Sequence, residues 1–362
     1  MARAIGLITA NYFTKANSDF TLGRPLASLP VLGRYRMIDF ALSNMANCCV
    51  RELGVILPGN YRSIVDHLGA GKEWGLDIKN GGLFLLPGSA FGTSVHAGRF
   101  LIKDFIDNKP FLERSRVPYV IVSSASFVYN MNYTELVDAH EASGADITVV
   151  TAKASQDYDN LASVVSENGK VTSFASTAKL GDHAFMDLFV IGREYLLELL
   201  EDYKDVDHLG LFEAIVNDLN TTNVAEFEYA GFSAVVLNCE QYFSTNMAML
   251  DPNVQDKLFP SVDRPILTKT HDTPPAKYSS GCHVANAAVS SGCRIHGTVN
   301  TAVLGRNVIV EEGASVSNSI ILQGTVISKG AKVENAIIDR NLVIAAGTEL
   351  RGTADDIYIL RR

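Results

Sequence analysis

The C-terminal part of the sequence repeats itself with a period of 17 residues. Apolar side chains at 304, 310 and 316 recur at 321, 327 and 333 and again at 338, 344 and 350, with spacings of 6, 6 and 5. A glycine follows the middle member of each set by three positions, at Gly313, Gly330 and Gly347. Hexapeptide periodicity is typical of a parallel β-helix, in which one apolar residue per short strand points into a triangular core. The sequence therefore predicts a short β-helix over residues 281–362, with a fainter first coil from Val289 and an insertion before Leu304.

The first 250 residues have a different pattern. Short apolar runs rich in β-branched residues alternate with segments of helical spacing. This alternation predicts an α/β domain with a mostly parallel, doubly wound, Rossmann-like sheet over residues 1–250. Between the two domains, residues 251–280 carry five prolines and little periodicity, which indicates a linker.

Charge and composition exclude several classes of function. The formal net charge of −9 argues against a nucleic-acid partner, because binding to phosphates needs a basic surface. No apolar run approaches the roughly 18–20 residues that a membrane span requires. Five cysteines without a CxxC pair fit reduced thiols better than a disulfide or zinc framework. We therefore expect a cytoplasmic protein that binds neither nucleic acid nor membrane.

One strand end within the α/β domain carries an unusual set of residues. The buried-strand pattern YVIV at 119–122 runs into Ser123, Ser124, Ala125 and Ser126. In open α/β sheets, ligands bind in the crevice outside the carboxyl end of such a strand. Chemistry on phosphates at that place needs carboxylates to hold a divalent cation. Here there are three serines and an alanine, so we expect no metal and no cofactor in this chain.

Two nearby features leave alternatives open. The segment 7–22 that follows the first strand contains no glycine, so it is either a phosphate loop that was lost or a surface loop that never bound phosphate. Arg34 and Arg36 either clamp an anion or are simply solvated.

Three motifs stand out beside the repeats: GRYRMIDFALSN at 33–44, DHLGAGKEWGLD at 66–77 and PPAKY at 274–278. With these motifs, nearly the whole chain resembles the ADP-glucose pyrophosphorylase family. The resemblance implies a nucleotidyltransferase-like domain followed by a left-handed β-helix. Catalytic members make ADP-glucose from ATP and glucose 1-phosphate with Mg²⁺, which is the committed step of bacterial glycogen synthesis.

The family's catalytic positions are replaced one by one in this sequence. Its glycine-rich loop falls on the glycine-free residues 10–17, and its R-A-K-P lysine falls on Leu26. The glutamate and lysine of its sugar-phosphate motif fall on Ser176 and Thr177. Its two metal-binding aspartates fall on Ser126 and Val235. The aspartate of its G-T-A-D-A motif falls near Val95, whereas Gly92 and Thr93 remain as a residual nucleotide pocket.

These replacements imply a chain that is catalytically deficient by itself. It is similar to the non-catalytic D-type subunits that some bacteria express beside a catalytic one. The resemblance implies a heterotetramer in which this chain allosterically activates the Mg²⁺-dependent catalytic subunit. It also implies a sugar-phosphate or phosphate effector. The residues in the segments where family members bind anions are Arg34, Arg36, Arg51 and His67.

Two other hypotheses remain at this stage. The chain is an active glucose-1-phosphate adenylyltransferase if other carboxylates replace the lost metal ligands. The candidates Asp182, Asp187 and Asp207 do not follow a strand at the family's ligand positions, so we expect none of them to substitute. Alternatively, the β-helix is a hexapeptide-repeat acyltransferase with His283 or His296 as its general base.

Overall fold

A computed structural model describes residues 3–10, 24–88, 100–206, 209–260, 263–354 and 356–362 of the chain. The chain forms two compact units. The first comprises Met1–Ser28, Met37–Val235 and Ser261–Leu267, and the second comprises Leu29–Arg36, Val236–Pro260 and Thr268–Arg362. Over these described ranges, no helix combines the length and the apolar character needed to cross a bilayer.

A large mixed sheet forms the centre of the first unit. Within the described residues its strand order is β5-β4-β1-β6-β11-β8-β12-β10-β9. Strands β5, β4, β1 and β6 are parallel, whereas β11 runs antiparallel to both β6 and β8. The strands are β1 (Ala4–Thr9), β4 (Glu52–Leu57), β5 (Gly82–Pro87), β6 (Tyr119–Ser124), β8 (Ile147–Lys153), β9 (Ser163–Glu167), β10 (Lys170–Ala175), β11 (His183–Gly192) and β12 (Val224–Glu228). A separate antiparallel pair joins β7 (Phe127–Tyr129) to β13 (Ser233–Val235).

The helices of the first unit cover the apolar faces of this sheet. They are α1 (Met37–Asn47), α2 (Arg62–Leu68), α3 (Ile102–Asp107), α4 (Lys109–Glu113), α5 (Tyr133–Ser143), α6 (Arg193–Asp202) and α7 (Leu211–Asn217). Helix α5 begins where the Asn132 side chain accepts the backbone N–H of Thr134, and it ends at Gly144 in the left-handed conformation. The predicted α/β domain is therefore present, but the prediction of a mostly parallel sheet is wrong, because β11, β10 and β9 add antiparallel pairings.

The chain returns to the first unit after a long excursion. The Ser43 hydroxyl accepts the N–H of Leu267, and the amide groups of Asn47 and Asn130 donate to the carbonyls of Pro265 and Arg264. These bonds fix a segment that the sequence assigned to a linker.

The predicted linker 251–280 also contains regular structure. Helix α9 (Pro252–Leu258) begins with the Asp251 side chain accepting the N–H of Asn253 and with proline at a position where no N–H is needed. One of the five prolines of this segment, Pro252, therefore marks the start of a helix and not irregular chain. The second unit also contains α8 (Cys239–Ala248) and the antiparallel pair β2 (Pro30–Val31) and β3 (Tyr35–Arg36).

Parallel strands make up the repeat region of the second unit. One described sheet has the order β14-β16-β18-β20-β22 and another β15-β17-β19-β21-β23, with β24 also pairing with β21. The strands are β14 (Lys277–Tyr278), β15 (His283–Val289), β16 (Arg294–Ile295), β17 (Thr298–Leu304), β18 (Ile309–Val310), β19 (Ser315–Ile321), β20 (Val326–Ile327), β21 (Lys332–Ile338), β22 (Val343–Ile344), β23 (Glu349–Arg351) and β24 (Tyr358–Leu360). The parallel coil arrangement is confirmed, and its left-handedness stays a prediction.

The repeat predicts the register of these strands. Leu304, Ile321 and Ile338 lie side by side in neighbouring strands and are buried in one apolar core. The longer strands bend at residues with positive φ, among them Thr301, Asn318 and Asn335. In the first coil Val289 pairs with Leu304 and Ile295 with Val310, an offset of 15 residues. The predicted insertion before Leu304 is therefore wrong, because this coil is shorter than its successors.

Candidate functional site

The ends of β1 and β6 form the crevice in which a ligand is expected. Within the sheet, β4 and β5 lie to one side of β1, whereas the next strand of this sheet along the chain, β6, lies next to β1 on its other side. Such a reversal of strand order is where open α/β sheets bind ligands. Thr9, the last residue of β1, is in register with Ser124, the last residue of β6. Hydroxyl groups thus line this edge of the sheet.

The two positions where the family carries metal-binding aspartates lie close together. Ser126 directly precedes β7, and Val235 on β13 is paired with Phe127 on β7. Ser126 is fully buried, and its Oγ lies 2.6 Å from Ser124 Oγ. The fold therefore gathers the positions that a catalytic relative would use, and both side chains are uncharged.

A carboxylate nevertheless reaches Ser126 from a neighbouring strand. Ser126 Oγ donates to Asp187 Oδ2 over 3.3 Å, and Asp187 is 1% exposed. Asp187 lies within β11 and has φ 51°, and the pairing with β8 shifts register between Phe185 and Phe189. Asp187 lies inside a strand and not at one of the family's ligand positions, and the irregular backbone of β11 turns its carboxylate towards Ser126. That it does not substitute for a metal ligand stays a prediction.

Three tyrosines, of which Tyr129 and Tyr133 are buried and Tyr229 is half-buried, lie next to these residues. Tyr129 Oη is 2.5 Å from Tyr133 Oη and 3.3 Å from Ser123 Oγ, and Tyr229 Oη donates to the carbonyl of Asn130. Burial raises the pKa of all three phenols, that of Tyr229 to about 12. The phenols therefore stay neutral near pH 7 and act as hydrogen-bond donors.

The residues present do not fit the two-carboxylate magnesium site that the resemblance implies for a catalytic subunit. Across the part of the chain that the structure describes, no group of three or more His, Cys, Asp or Glu side chains is placed to hold a metal ion. Ser126 and Val235 offer one hydroxyl and no charge between them. No catalytic step through Mg²⁺ therefore follows from these positions.

The other family positions are spread over the first unit. Leu26 is buried in a short 3₁₀ turn, Leu26–Ser28. Ser176 follows β10 and is exposed, whereas Thr177 is half-buried and its carbonyl accepts the Ser163 hydroxyl. Gly92 and Thr93, predicted as a residual nucleotide pocket, lie outside the described residues, as do residues 11–17.

The second unit contains a pocket of about 500 Å³ that we call the basic pocket. Its charged and polar lining consists of Arg34, Gln255, Lys269, Thr270, His271, Ser290, Ser291 and Arg306. Arg34 is exposed, its guanidinium lies 5.5 Å from the Tyr35 ring, and its carbonyl accepts a hydrogen bond from Arg306 Nη2. Ser290 is 8% exposed, and its Oγ has no hydrogen-bond partner among the described residues. Cationic groups around an unsatisfied hydroxyl suit an anion.

Gly33 forms part of the framework beside this pocket. Its φ is +65°, and a Cβ there would lie 2.5 Å from both the Leu304 carbonyl oxygen and Ser290 Oγ. Another residue type would therefore be strained and would clash. The glycine lets the Arg34 backbone approach the first coil of the repeat region.

The remaining predicted anion-binding residues have other surroundings. Arg36 lies on β3 and is half-buried, but it does not line the basic pocket. Arg51 is exposed in the first unit, where its carbonyl accepts the N–H of Gly82. His67 is buried, and its Nε2 lies 2.5 Å from Asp39 Oδ1. His67 thus has an internal partner that its sequence position did not indicate.

The acyltransferase hypothesis gains no support from the structure. His283 begins β15 and His296 follows β16, and both are exposed. Neither of them lines the basic pocket.

Sequence reasoning named Asp187 but did not predict its contact with Ser126, and it missed most of the basic pocket. Asp187 lies in an apolar strand pattern, and its backbone conformation has no sequence signal. The run Lys269-Thr-His271 is basic and precedes the PPAKY motif, which is a weak hint at an anion site. Ser290 offered no signal, because serine in a repeat coil usually faces solvent.

The chain matches two known sequence families. The family described as "Nucleotidyl transferase" matches residues 18–209, and the one described as "GlmU-like, C-terminal hexapeptide" matches residues 274–355. The first of these matches covers more than half of the chain.

Curated relatives match over most of their own length. The chain is 30% identical over 313 residues to the glycogen biosynthesis protein GlgD of Bacillus subtilis (strain 168), covering 86% of this chain and 82% of that protein. It is 31% identical over 317 residues to the GlgD of Geobacillus stearothermophilus, covering 87% and 83%. It is 29% identical over 328 residues to a glucose-1-phosphate adenylyltransferase of Fervidobacterium nodosum, covering 88% and 79%.

Proposed function

This chain belongs to the nucleotidyl transferase family, in the group of GlgD glycogen biosynthesis proteins and glucose-1-phosphate adenylyltransferases, and we propose that it is a regulatory subunit of ADP-glucose synthesis. Its relatives support a role in glycogen biosynthesis. In the proposed role it has little activity of its own, assembles with a catalytic paralogue in a heterotetramer and raises that paralogue's activity.

The observation that carries this proposal is the pair Ser126 and Val235. Ser126 lies between β6 and β7, and Val235 lies on β13, which pairs with β7, at the place where transfer of a nucleotidyl group needs charge to hold a cation. Removing one electrostatic contributor from an active site costs about 3 kcal/mol, or roughly a hundredfold in rate. The effects of losing two carboxylates on the rate are not simply additive, but their joint loss supports the proposal that this chain has little turnover of its own.

The basic pocket supports a regulatory role. Arg34, Lys269, His271 and Arg306 line the same pocket as the buried Ser290, and its volume of about 500 Å³ is large enough for a sugar phosphate. In the proposed mechanism, an anionic effector in this pocket favours the conformation in which the catalytic subunit is more active. An effector shifts this balance only through contacts that differ between the two conformations.

A mixing experiment tests the regulatory role. The full chain and the catalytic subunit from the same source are purified alone and co-expressed, and ADP-glucose formation is measured per catalytic subunit. We expect co-purification, little turnover by this chain alone and at least a several-fold higher rate for the mixture. A mixture that is no faster than the catalytic subunit, with and without fructose 1,6-bisphosphate or phosphate, overturns the proposal.

A second candidate function is favoured by one observation, the Asp187 carboxylate beside Ser126. With that carboxylate as a displaced metal ligand, the isolated chain would itself form ADP-glucose. Assay of the isolated chain with ATP, glucose 1-phosphate and Mg²⁺ separates the two functions. Turnover comparable to catalytic relatives, abolished by Asp187→Asn, would establish the enzyme, whereas turnover lower by several orders of magnitude supports the regulatory subunit.

A further inference from the structure

Two adjacent cysteines line a small pocket of the first unit. Cys48 and Cys49 directly follow α1, and both belong to the lining of a cavity of about 230 Å³, which we call the thiol pocket. Tyr133 on α5 lines it as well. So does Ala4, the first residue of β1, which places the thiol pocket at the opposite end of this strand from the crevice beside Thr9.

The sulfur of Cys48 lies at the first turn of α5. The Tyr133 N–H donates to Cys48 Sγ over 3.1 Å, and Tyr133 is the first residue of this helix of 11 residues. The N–H groups at the start of a helix have no partner within the helix, and the helix dipole favours negative charge there. Cysteines that react as thiolates are found at such helix ends when they are partly exposed. Cys48 is half-buried and meets both conditions.

The neighbours of Cys48 lose little when its thiol gives up the proton. The thiol donates to Asn132 Oδ1 over 3.5 Å, and a thiol is a weak hydrogen-bond donor. The same oxygen also accepts the Thr134 N–H, so it keeps a partner without the thiol proton. The bond from the Tyr133 N–H is stronger when the sulfur is negatively charged.

Cys49 is more exposed than Cys48, and its place has a different origin. The Cys49 N–H donates to the Ala46 carbonyl and the Val50 N–H to the Met45 carbonyl, which are the two bonds of a Schellman motif. Cys49 is the left-handed residue of this motif, with φ 59°, and glycine is the usual residue there. Exposure alone would make Cys49 the more reactive thiol, whereas the surroundings favour Cys48.

We propose that the thiol pocket is a modification site in which Cys48 forms a mixed disulfide with a low-molecular-weight thiol. Cys48 releases its proton to water, and its thiolate attacks one sulfur of a small disulfide. The new S–S bond forms as the old one breaks, and the other half of the reagent leaves as a thiolate that takes up a proton. One disulfide is consumed and one is formed, so the small disulfide is the only oxidant that the step needs.

The size of the pocket and the chemistry of the cytosol fit such a modification. A volume of about 230 Å³ is smaller than the roughly 300 Å³ from which pockets for whole ligands range, so only the thiol end of the modifying molecule enters. Disulfides of cytosolic proteins are usually transient and redox-sensing. The inference does not rest on the proposed function, because thiol exchange needs neither substrate nor catalytic subunit.

Incubation of the reduced full chain with glutathione disulfide tests the proposal, with the rate at each cysteine followed by mass spectrometry. Cys48→Ser removes the thiol but keeps an acceptor for the Tyr133 N–H. Cys49→Gly is the matched control, which removes the more exposed thiol at a position that suits glycine. We expect one glutathione per chain in the wild type and in Cys49→Gly, a rate at least roughly tenfold lower in Cys48→Ser, and release of the glutathione by dithiothreitol.

The opposite result, in which Cys49→Gly abolishes the modification and Cys48→Ser does not, overturns the proposal because exposure alone then decides. So does a rate at Cys48 no higher than at Cys239 or Cys282, which are also half-buried. This second comparison uses the wild type and stays decisive even if Cys48→Ser does not fold. Because no activity is measured, failure here leaves the regulatory proposal intact, and failure of the mixing experiment leaves the modification site intact.

Discussion

His67 Nε2 lies 2.5 Å from Asp39 Oδ1, and both side chains are buried in the first unit. The Trp74 indole and the His67 imidazole pack in a T-shaped arrangement with their ring centroids 5.8 Å apart, and His67 Nδ1 has no hydrogen-bond partner among the described residues. His67 therefore joins α1, which carries Asp39, to α2. We therefore expect His67 to contribute to stability, and its role in anion binding stays a prediction.

Replacing His67 by alanine is expected to destabilise the first unit by about 3 kcal/mol, because it removes a partner from a fully buried carboxylate. In a unit of this size the loss lowers the melting temperature by roughly 6–12 °C, measured by circular dichroism. Asp66→Ala, next to His67 but exposed, is the control and is expected to change stability by less than about 0.5 kcal/mol. Unchanged melting of the His67→Ala protein contradicts this account.

Glu226 is expected to make the first unit sensitive to acid. The hydroxyl of Ser166, the hydroxyl of Thr151 and His183 Nδ1 all bond to its carboxylate. Burial acts to raise the pKa of Glu226, but these hydrogen bonds together outweigh burial and leave the pKa below its ordinary value.

A carboxyl group with a lowered pKa stabilises the fold above its ordinary pKa of about 4.3, and that stabilisation disappears as pH falls through the lowered value. We expect the urea midpoint of the wild type to fall between about pH 5 and pH 3, and Glu226→Gln to show a flatter profile. The neighbouring, more exposed Glu228→Gln serves as control and should follow the wild type. Parallel profiles for wild type and Glu226→Gln would rule this out.

At Asn335, where β21 bends, we expect substitution by glycine to destabilise the protein less than substitution by alanine. Its φ is 49°, its Oδ1 accepts from Asn318 Nδ2 and its Nδ2 donates to the Gly352 carbonyl. Alanine loses both bonds and adopts the left-handed conformation at a cost of roughly 1–2 kcal/mol, whereas glycine loses only the bonds. Thermal melting of both variants measures the difference in stability. Equal stability would show that the left-handed conformation at residue 335 costs alanine nothing.

Ile327→Ala is expected to destabilise the second unit by about 3 kcal/mol, because Ile327 is fully buried in the repeat core and its loss leaves a cavity. Val343→Ala, in the last coil where the valine is 71% exposed, is the matched control and is expected to cost less than about 0.5 kcal/mol. Unfolding in guanidinium chloride, followed by circular dichroism, compares the two. A similar cost for both would mean that the repeat core is not closely packed.

Arg34 and Arg51 are expected to differ in anion binding, although both were predicted to bind an effector. Arg34 lines the basic pocket and Arg51 lies in the first unit. Removing a charge-assisted hydrogen bond costs about 1.5–3 kcal/mol, so Arg34→Ala should weaken fructose 1,6-bisphosphate binding roughly 10- to 100-fold. Arg51→Ala should leave it unchanged in isothermal titration calorimetry. The reverse ranking would place the effector site in the first unit.

The repeat region was the most predictable part of the chain. Its geometry requires one inward apolar residue per strand, so the spacing of Leu304, Ile321 and Ile338 determines the register directly. The first coil was misjudged because its offset of 15 residues breaks the period that served as the guide. The motif at 33–44 identified the family, and the relatives confirm that membership.

The candidate sites were predictable only in part. The sequence placed Ser126 and Val235 at equivalent positions of a family pattern, and the pairing of β7 with β13 brings them together. The position of Asp187 depends on one backbone angle within a strand, and alternation of apolar residues carries no information about such an angle. The contact between His67 and Asp39 could not be predicted, because the sequence does not reveal that these two residues lie opposite each other.

The return of the chain at 263–267 has a consequence for how the molecule is made. The first compact unit draws on three separate stretches, and the last of them ends at Leu267. A ribosome must therefore deliver nearly three quarters of the polypeptide before the Ser43 hydroxyl and the Asn130 amide meet their backbone partners. A fragment that ends at residue 250 lacks these backbone partners, so we expect it to fold poorly and to be readily degraded by proteases when it is made alone.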